Sequence, residues 1–355
     1  MKRRKSLPVQ VGKLGIGGTA PISIQTMSTI DPADEQAAIA DTLRLASYGA
    51  ELIRFAVPTM AAAKGLKAVT AASPVPIVAD IHFDYRLALA AVDSGVDALR
   101  INPGNIGADD NVIKVIERVR LRNLPIRIGI NSGSLPADIL ETYGGHPTAS
   151  GMVEGALRHI CILEKMNYRN MVISLKASEV PLMIEAYKTL AEKVPYALHL
   201  GVTEAGLVRE GSIKSAVGIG TLLYEGIGDT IRVSLTEDPA EEIKAGQIIL
   251  SSLGLRTFGP TLISCPTCGR TQVNLIELAQ KVQKALSTIN VPLKVAVMGC
   301  VVNGPGEARE ADFGIAGGVG KGIIFSHGKV LKTVPEQQLV SSLLEEINKF
   351  IQKGS

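Results

Sequence analysis

The stretch AELIRFAVPTMAAAKGLKAVTAASPVPIVADIH (50–82) contains two short apolar runs, AELIRFAV and VPIVADIH, separated by a longer helix-like segment. Each run has the length and composition of a buried strand, and the segment between them is long enough to form a helix. Parallel neighbours need a crossover of this kind before they can pair. The stretch therefore predicts a strand–helix–strand unit.

The same alternation begins at Pro21 and continues along most of the chain. Apolar residues lie three and four apart in segments such as 34–47, 85–94 and 111–120, as in amphipathic helices. Eight such units within about 250 residues predict an α/β fold, an N-terminal (β/α)8 TIM barrel. The eight apolar runs are PISIQTM (21–27), AELIRFAV (50–57), VPIVADIH (75–82), VDALRIN (96–102), PIRIGIN (125–131), MVISLK (171–176), YALHLGV (196–202) and DTIRVS (229–234).

An open doubly wound sheet is the alternative architecture. It is disfavoured because no G-x-G-x-x-G motif follows the first strand, where a dinucleotide-binding fold would need one. The similar GKLGIGG (12–18) precedes that strand and is interpreted as a turn.

After Leu255 the pattern changes, and the sequence predicts a second domain. We therefore expect a barrel over 1–255 and a small α+β domain over 256–355. Helices are predicted near 274–286 and 336–352, and strands at 293–298, 313–316, 322–325 and 330–333.

Composition narrows the class of protein. Lys plus Arg is 37 and Asp plus Glu is 34, a balance that argues against a nucleic-acid-binding protein. The basic run at 2–5 lacks the apolar stretch of a signal peptide, and no apolar run is long enough to span a bilayer. We expect a cytoplasmic protein with reduced thiols, so its four cysteines are not expected to form disulfides.

Polar residues interrupt the strands in a regular way, although a parallel barrel strand should be apolar throughout. They recur two apart in the C-terminal halves of the strands, which places each pair on one face. Arg54 ends the second strand and Glu204 follows the seventh. The expected common face is the barrel mouth, where enzymes of this fold keep their active sites. The pairs are Asp80 and His82, Arg100 and Asn102, Arg127 and Asn131, Ser174 and Lys176, and Arg232 and Ser234.

Five of these side chains are cationic, and together they predict an anionic ligand. At a separation of ~8 Å and an effective dielectric of ~20, each pair repels by roughly 2 kcal/mol. Asp80 and Glu204 cannot offset all of this repulsion, whereas a bound polyanion could, and guanidinium groups suit phosphate geometry. The glycine-rich GSIKSAVGIG (211–220) is expected to open a helix whose N–H groups could also take a phosphate.

The cysteines indicate a metal centre in the second domain. Cys161 lies in an apolar helix and is expected to be buried in the core. Cys265, Cys268 and Cys300 form a C-x-x-C motif and a third thiol in MGCVVNGPGE (298–307). No second C-x-x-C or His pair completes a zinc site, so an iron–sulfur cluster is favoured, with zinc as the alternative. The nearest oxygen ligand is Glu307, and Asn303 in the same loop is a candidate substrate contact.

Seven motifs resemble those of the bacterial 4-hydroxy-3-methylbut-2-enyl diphosphate synthases of the non-mevalonate isoprenoid pathway. They are SCPTCGR, AVMGCVVNGPGEA, GVTEAG, GDTIRVSLT, VISLKAS, LRINPGN and GINSGSL, in collinear order between about Pro21 and Gly318. TMSTIDPAD (26–34) departs from the family's usual serine- and asparagine-rich version, so no ligand role is assigned there.

The resemblance implies reductive ring opening of 2-C-methyl-D-erythritol 2,4-cyclodiphosphate by a 4Fe–4S enzyme. It implies cluster ligands at Cys265, Cys268, Cys300 and Glu307, in a domain resembling the cluster domain of sulfite and nitrite reductases. Glu204 is the candidate proton donor, and Glu307 is a second catalytic candidate as a displaceable ligand. A ferredoxin or flavodoxin would supply electrons to a homodimer in which one subunit's cluster domain closes over the other's barrel.

Two other readings remain open at this point. One is a TIM-barrel phosphate-ester lyase or transferase with a structural zinc site. The other is a non-catalytic scaffold or iron-storage module, which leaves the five cations at the mouth unexplained.

Overall fold

The computed structural model describes residues 2–102, 106, 109–301, 306 and 308–354. It divides into two compact units, one ending at Arg256 and the other beginning at Thr257. Asn303 and Glu307 lie outside the described residues. Within those residues, no helix has both the length and the apolar character needed to cross a membrane.

The first unit is a closed barrel of eight parallel strands, which confirms the predicted fold. Each predicted run contains one strand, and the order around the barrel follows the chain, with the last strand returning to the first. An antiparallel hairpin, β1 (Val9–Val11) and β2 (Leu14–Ile16), precedes it. The barrel strands are β3 (Ser23–Met27), β4 (Leu52–Ala56), β5 (Ile77–Asp80), β6 (Ala98–Ile101), β7 (Ile126–Asn131), β8 (Met171–Lys176), β9 (Ala197–Leu200) and β10 (Thr230–Ile231).

Helices follow the barrel strands, and several begin at side chains suited to capping. Asp34, Thr59, Thr148 and Asp238 each accept a hydrogen bond from a backbone N–H in the first turn of the next helix. The helices are α1 (Glu35–Ser47), α2 (Met60–Ala72), α3 (Tyr85–Asp93), α4 (Asp109–Arg120), α5 (Ala137–Thr142), α6 (Ala149–Lys165), α7 (Val180–Lys193), α8 (Val208–Tyr224) and α9 (Pro239–Ser252).

The hairpin β1–β2 closes the bottom of the barrel. The GKLGIGG segment is therefore more than the turn that the sequence predicts: Gly12 turns with φ +55° and Leu14–Ile16 then pairs with β1. The hairpin's buried side chains pack against residues near the starts of the strands, among them Leu52, Ala98 and Ala197. Because this end is sealed by apolar packing, the opposite, C-terminal end of the strands forms the mouth.

The basic N-terminal run also binds the barrel rather than standing free. Arg3 forms an ion pair with buried Asp229 at 2.7 Å. Arg4 donates to the carbonyl oxygens of Val194, at 2.7 Å, and Tyr196. These contacts give the run a structural role at the start of β9 and β10.

Cys161 corrects one expectation, because it is exposed rather than buried. The buried face of α6 includes Met152, Ala156, Ile160 and Leu163, which recur three and four apart. Cys161 lies about 100° further round the helix than Ile160 and so faces outward. Because apolar residues lie on both faces of this helix, the sequence alone did not show which face packs against the barrel.

The second unit is a five-stranded mixed sheet covered by two helices. Its core combines the buried stripe of the first helix, Leu275, Leu278, Val282 and Leu286, with apolar residues of the sheet and the last helix. Strands β11 to β13 are parallel and β13 to β15 are antiparallel. The elements are β11 (Thr261–Ser264), α10 (Leu275–Leu286), β12 (Lys294–Met298), β13 (Phe313–Gly318), β14 (Lys321–Ser326), β15 (Lys329–Pro335) and α11 (Leu339–Gly354).

Candidate active site

The predicted cations converge inside the barrel. Asp80, Arg100 and Arg127 are lateral neighbours on β5, β6 and β7, so their side chains share the inner face. Arg54 on β4, Lys176 at the end of β8 and Arg232 just after β10 complete the group. Four of the five cations are buried, with at most 8% of each residue exposed: Arg54, Arg100, Arg127 and Lys176.

Asp80 holds two of these cations in place. Its carboxylate accepts a hydrogen bond from Arg100 Nη1 at 3.0 Å and lies 3.4 Å from Arg54 Nε. His82 Nε2 approaches the same carboxylate at 3.5 Å from a half-exposed side chain. Burial alone would raise the pKa of Asp80, but Arg54, the hydrogen bond from His82, and Arg100 outweigh it and hold that pKa far below its usual range.

Glu242 holds a third cation and was missed by the sequence reasoning. It lies in the first turn of α9 with a side chain only 3% exposed. Its carboxylate accepts hydrogen bonds from Arg232 Nη2 at 2.9 Å and Nε at 3.1 Å, a two-point contact. It also accepts from the Thr26 hydroxyl at 2.9 Å and the Leu235 N–H at 3.1 Å. Glu242 thus fixes both Arg232 and the loop that follows β10.

Arg127 lies deeper than predicted. It is the second residue of β7, and the other residues of the same face, Gly129 and Asn131, lie nearer the mouth. Its Nη1 donates to Gln25 Oε1 at 2.9 Å. Its Nε and Nη2, and both ring nitrogens of His199, have no hydrogen-bond partner among the described residues. Burial lowers the pKa of Arg127 well below its usual value, and Arg54 and Arg100 lower it further.

The level around Arg127 is therefore a polar layer inside the barrel. Gln25, Arg127, His199 and Thr230 line a cavity of about 20 Å³ together with apolar side chains from the sealed end. Burial and the positive charge of Arg127 lower the pKa of His199, so its imidazole is neutral. A cavity of this size accommodates about one water molecule.

Lys176 has a different environment from the arginines. In the described part of the chain its side-chain nitrogen forms no hydrogen bond and no ion pair. Burial lowers its pKa well below the usual value, and Arg232 and Arg54 lower it further. Burial also lowers the pKa of Arg54, to about 10, although Asp80 opposes that change.

Two glycines provide the space that these cations occupy. A β-carbon on Gly129 would lie 2.5 Å from Arg100 Nε, and one on Gly201 would lie 2.9 Å from Lys176 Nζ. Real β-carbons do not approach other atoms so closely, so a side chain at either position would displace the cation. The glycines allow bulky basic groups to lie side by side across a narrow barrel.

Glu204 does not join the cations directly. It is exposed, and within the described residues it forms no ion pair. Its backbone has a φ of +52°, in the left-handed region that few non-glycine residues adopt. Such backbone conformations concentrate at functional sites. Asn102 is buried, and Asn131 and Ser234 are half-buried at the same end of the barrel.

The glycine-rich GSIKSAVGIG segment does not open a helix. Helix α8 begins earlier, at Val208, and the Gly211 N–H already donates to the Leu207 carbonyl at 2.7 Å. A β-carbon on Gly211 would lie 2.6 Å from Leu235 Cδ2. The glycine therefore serves close packing, and its N–H is not available for a phosphate.

In the second unit, sheet topology brings two of the three predicted ligand cysteines together. Cys265 directly follows β11 and Cys300 follows β12, and these strands are parallel neighbours whose C-terminal ends share one edge. The Gly299 N–H donates to Cys265 Sγ at 3.2 Å. N–H groups aimed at sulfur are typical of iron–sulfur sites, so this edge is suited to hold a cluster.

The C-x-x-C loop is tied to the same edge. The Gln272 N–H donates to the Gly299 carbonyl at 2.9 Å, and the Cys268 N–H donates to Thr271 Oγ1 at 3.1 Å. A hydrogen bond from the Arg270 backbone lowers the pKa of the Cys268 thiol, which favours the thiolate that binds metal. All four cysteines are free, and the described residues contain no group of three His, Cys, Asp or Glu close enough to hold a metal ion.

Fold and site together define a two-domain protein in which a parallel barrel gathers basic side chains at its mouth and a second domain carries three cysteines. Residues 6–247 match the model of the GcpE TIM-barrel domain, and residues 261–349 match that of the GcpE protein C-terminal domain. The chain belongs to the GcpE family.

Curated relatives match the chain over nearly its full length. One from Geobacter sulfurreducens is 52% identical over 349 residues, covering 98% of this chain and 99% of the relative. One from Brevibacillus brevis is 53% identical over 350 residues, covering 99% and 97%. Both are named 4-hydroxy-3-methylbut-2-en-1-yl diphosphate synthase (flavodoxin).

A solved dihydropteroate synthase from Stenotrophomonas maltophilia resembles the barrel. It covers 71% of this chain and 100% of its own, with a TM-score of 0.51 and 15% identity. At that identity the likeness shows the fold alone. The comparisons thus give no support to the alternative of a phosphate-ester lyase or transferase with a structural zinc site.

Proposed function

We propose that this chain catalyses the two-electron reductive ring opening and dehydration of 2-C-methyl-D-erythritol 2,4-cyclodiphosphate. The product is 4-hydroxy-3-methylbut-2-enyl diphosphate, a precursor in isoprenoid biosynthesis. The observation that carries the proposal is the charge of the mouth, where five basic side chains are buried or nearly buried. Among the described residues only two carboxylates are ion-paired with them, and these pair with three of the five. A substrate with two negatively charged phosphate groups supplies the missing charge.

The roles of the mouth residues follow from their positions. Arg54, Arg100, Lys176 and Arg232 bind the diphosphate, and Arg127 supports it from the layer below. Asp80 and Glu242 orient the arginines, so that their guanidinium groups are fixed before the substrate arrives. Five further polar residues contact the remainder of the substrate: His82, Asn102, Asn131, Ser234 and Asn303.

Glu204 is proposed as the proton donor to the departing oxygen. Its exposed position at the end of β9 leaves the carboxylate in contact with solvent until the substrate binds. A carboxyl group at this position is suited to general acid catalysis of the departure of that oxygen. Glu204→Gln should retain substrate affinity but lose most turnover; turnover near that of the wild type would exclude this role.

We propose that Cys265, Cys268 and Cys300, with Glu307, hold a 4Fe–4S cluster. The shared sheet edge, the N–H bond to Cys265 Sγ and the lowered pKa of Cys268 support a thiolate site. When bound, such a cluster supplies the electrons of the reduction. The carboxylate of Glu307 binds iron–sulfur clusters less strongly than a thiolate does, which makes it the displaceable ligand.

The relatives' names favour flavodoxin over ferredoxin as the electron donor of this chain.

We propose that the enzyme works as a cytoplasmic homodimer. On one face of α8, the apolar side chains of Ile213, Val217 and Tyr224 are each more than half exposed. A second copy of the chain would cover such a face.

An anaerobic assay tests the function. The purified chain, with its cluster reconstituted, is mixed with the cyclic diphosphate and dithionite, and the open-chain allylic diphosphate is measured by mass spectrometry. Arg54→Ala and Arg100→Ala should weaken substrate binding while the visible spectrum of the cluster stays unchanged. A colourless protein that binds zinc, or a loaded protein without product, would refute the proposal.

A further inference from the structure

The cations at the mouth differ in whether they can lose charge. Asp80 is ion-paired with Arg54 and Arg100, and Glu242 with Arg232, which leaves Arg127 and Lys176 without a carboxylate among the described residues. Arginine keeps its proton at any physiological pH, whereas lysine releases its proton readily when buried. Lys176 is therefore the one member of the five whose charge can respond to a ligand.

Both burial and the neighbouring positive charges disfavour the charged form of Lys176. It is the last residue of β8 and 7% exposed, and its Nζ lies beside the backbone of Gly201, which directly follows β9. The two carboxylates nearby are already shared with arginines, and His199 on β9 is neutral. The positive charges that act on it are those of Arg54 on β4, Arg100 on β6, Arg127 on β7 and Arg232 just after β10.

We propose that Lys176 is a neutral amine before the substrate binds, and that it takes up one proton from solvent as the diphosphate enters the mouth. The proposal rests on the proposed function, because it needs a substrate that carries negative charge to this position. The lowered pKa of Lys176 agrees with it: burial and four arginines disfavour the ammonium, and two phosphate charges would reverse that balance.

The proton balance of this step is simple. The amine nitrogen of Lys176 forms an N–H bond with a proton from water or buffer, and no electron or covalent bond to the substrate is exchanged. Each phosphorus of a cyclic diphosphate carries a single ionisable oxygen, which is already ionised at neutral pH, so the substrate neither brings nor releases a proton. Any uptake on binding therefore belongs to the protein.

Isothermal titration calorimetry measures this uptake directly. The full chain with an oxidised cluster is titrated with the cyclic diphosphate without reductant, in buffers of different ionisation enthalpy at one pH. The slope of binding enthalpy against ionisation enthalpy should show uptake of about one proton per site. Affinity should also fall as pH rises, by up to about tenfold per unit, between the lysine's pKa values in the free and bound states.

Two variants separate Lys176 from its neighbours. Lys176→Arg keeps a fixed charge and should bind the diphosphate with no proton uptake and a flatter pH dependence. Lys176→Met has no charge at this position and should bind the diphosphate more weakly, also without proton uptake. This second variant is needed because the larger guanidinium of Lys176→Arg could distort the site. Circular dichroism verifies that both variants are folded.

Three results would overturn the inference. Binding by the wild type without uptake would show that Lys176 is already charged. Uptake that survives in Lys176→Arg but disappears in His199→Gln would assign the proton to the imidazole. Absence of binding in every protein would overturn both this inference and the proposed function, whereas binding without uptake would leave the proposed function standing.

Discussion

Replacing Glu242 by Gln tests whether the mouth is held together by its buried carboxylates. The substitution keeps the size of the side chain but removes its charge and turns one acceptor oxygen into a donor facing Arg232. Four hydrogen bonds to Glu242 are affected, from Arg232 Nε and Nη2, the Thr26 hydroxyl and the Leu235 N–H. Removing one partner of a buried ion pair leaves the other charge unpaired, which costs about 3–5 kcal/mol of stability.

The neighbouring residue provides a matched control. Glu241 lies in the same first turn of α9 and pairs with Lys244 at 2.7 Å, but both side chains are well exposed. Exposed pairs of this kind contribute about 0.2–1 kcal/mol. Glu241→Gln therefore makes the same chemical change at the same helix terminus without affecting the mouth.

Urea unfolding followed by circular dichroism compares the two variants with the wild type. Because the chain has two compact units, hydrogen exchange of peptides covering β10 and α9 should accompany it, so that the change is assigned to the barrel. In a double-mutant cycle with Arg232→Met, the double variant should be about 1–3 kcal/mol more stable than the sum of the single losses predicts. Equal effects of Glu242→Gln and Glu241→Gln would refute the reasoning.

Three further predictions address the rest of the site. Gly129→Ala should displace the guanidinium of Arg100 and weaken substrate binding at least tenfold, a loss of about 1.4 kcal/mol, measured by calorimetry; unchanged affinity would show that Arg100 has room to move. Cys268→Ser should abolish the visible cluster spectrum and Cys161→Ser should preserve it, and equal spectra would remove Cys268 from the ligand set. Asp80→Asn should destabilise the barrel in urea at neutral pH. Because the folded pKa of Asp80 is depressed, the difference from wild type should persist above about pH 4, the unfolded pKa, and shrink as pH falls below it; a difference that is constant down to pH 2 would argue against the ion pairs.

The barrel was predictable because each of its strands is short, apolar and separated by a helix-length segment. DTIRVS shows the limit of that pattern, since only Thr230–Ile231 forms the strand. The chain leaves strand geometry at Arg232, whose guanidinium binds Glu242. The two-residue periodicity of a strand cannot predict a side-chain contact with a residue ten positions later in the chain.

The interior polar layer was missed for a related reason. Functional polar residues were expected in the C-terminal halves of the strands, whereas Gln25 and His199 line the cavity at the level of Arg127, lower in the barrel. A polar residue in a strand that is buried on both faces was the sequence feature that could have revealed this layer. In β11 the opposite problem arose, because Thr261–Ser264 is a largely exposed edge strand with no apolar run to reveal it.

Glu242 could have been recognised from helical periodicity. Acidic residues in the first turn of a helix are ordinarily explained by the helix dipole, and Glu241 fits that explanation. Glu242, however, lies four residues before Gly246 and seven before Ile249, both on the buried face of α9. A glutamate on an apolar stripe must be paired, and an arginine is the partner expected at the mouth of a barrel that carries so many.

Glu242 takes the place among the cations that was predicted for Glu204, and the mouth still has more basic than acidic side chains. The sequence predicted Asp80 and Glu204 as the acidic residues among five cations; the structure keeps Asp80, leaves Glu204 without an ion pair in the described part, and supplies Glu242 instead. With Lys176 neutral before the substrate binds, as proposed, four guanidinium groups against two ion-paired carboxylates still leave an excess of positive charge. Because the paired arginines are partly neutralised, that excess falls on Arg127. The affinity for a diphosphate should then depend most steeply on the proton that Lys176 takes up.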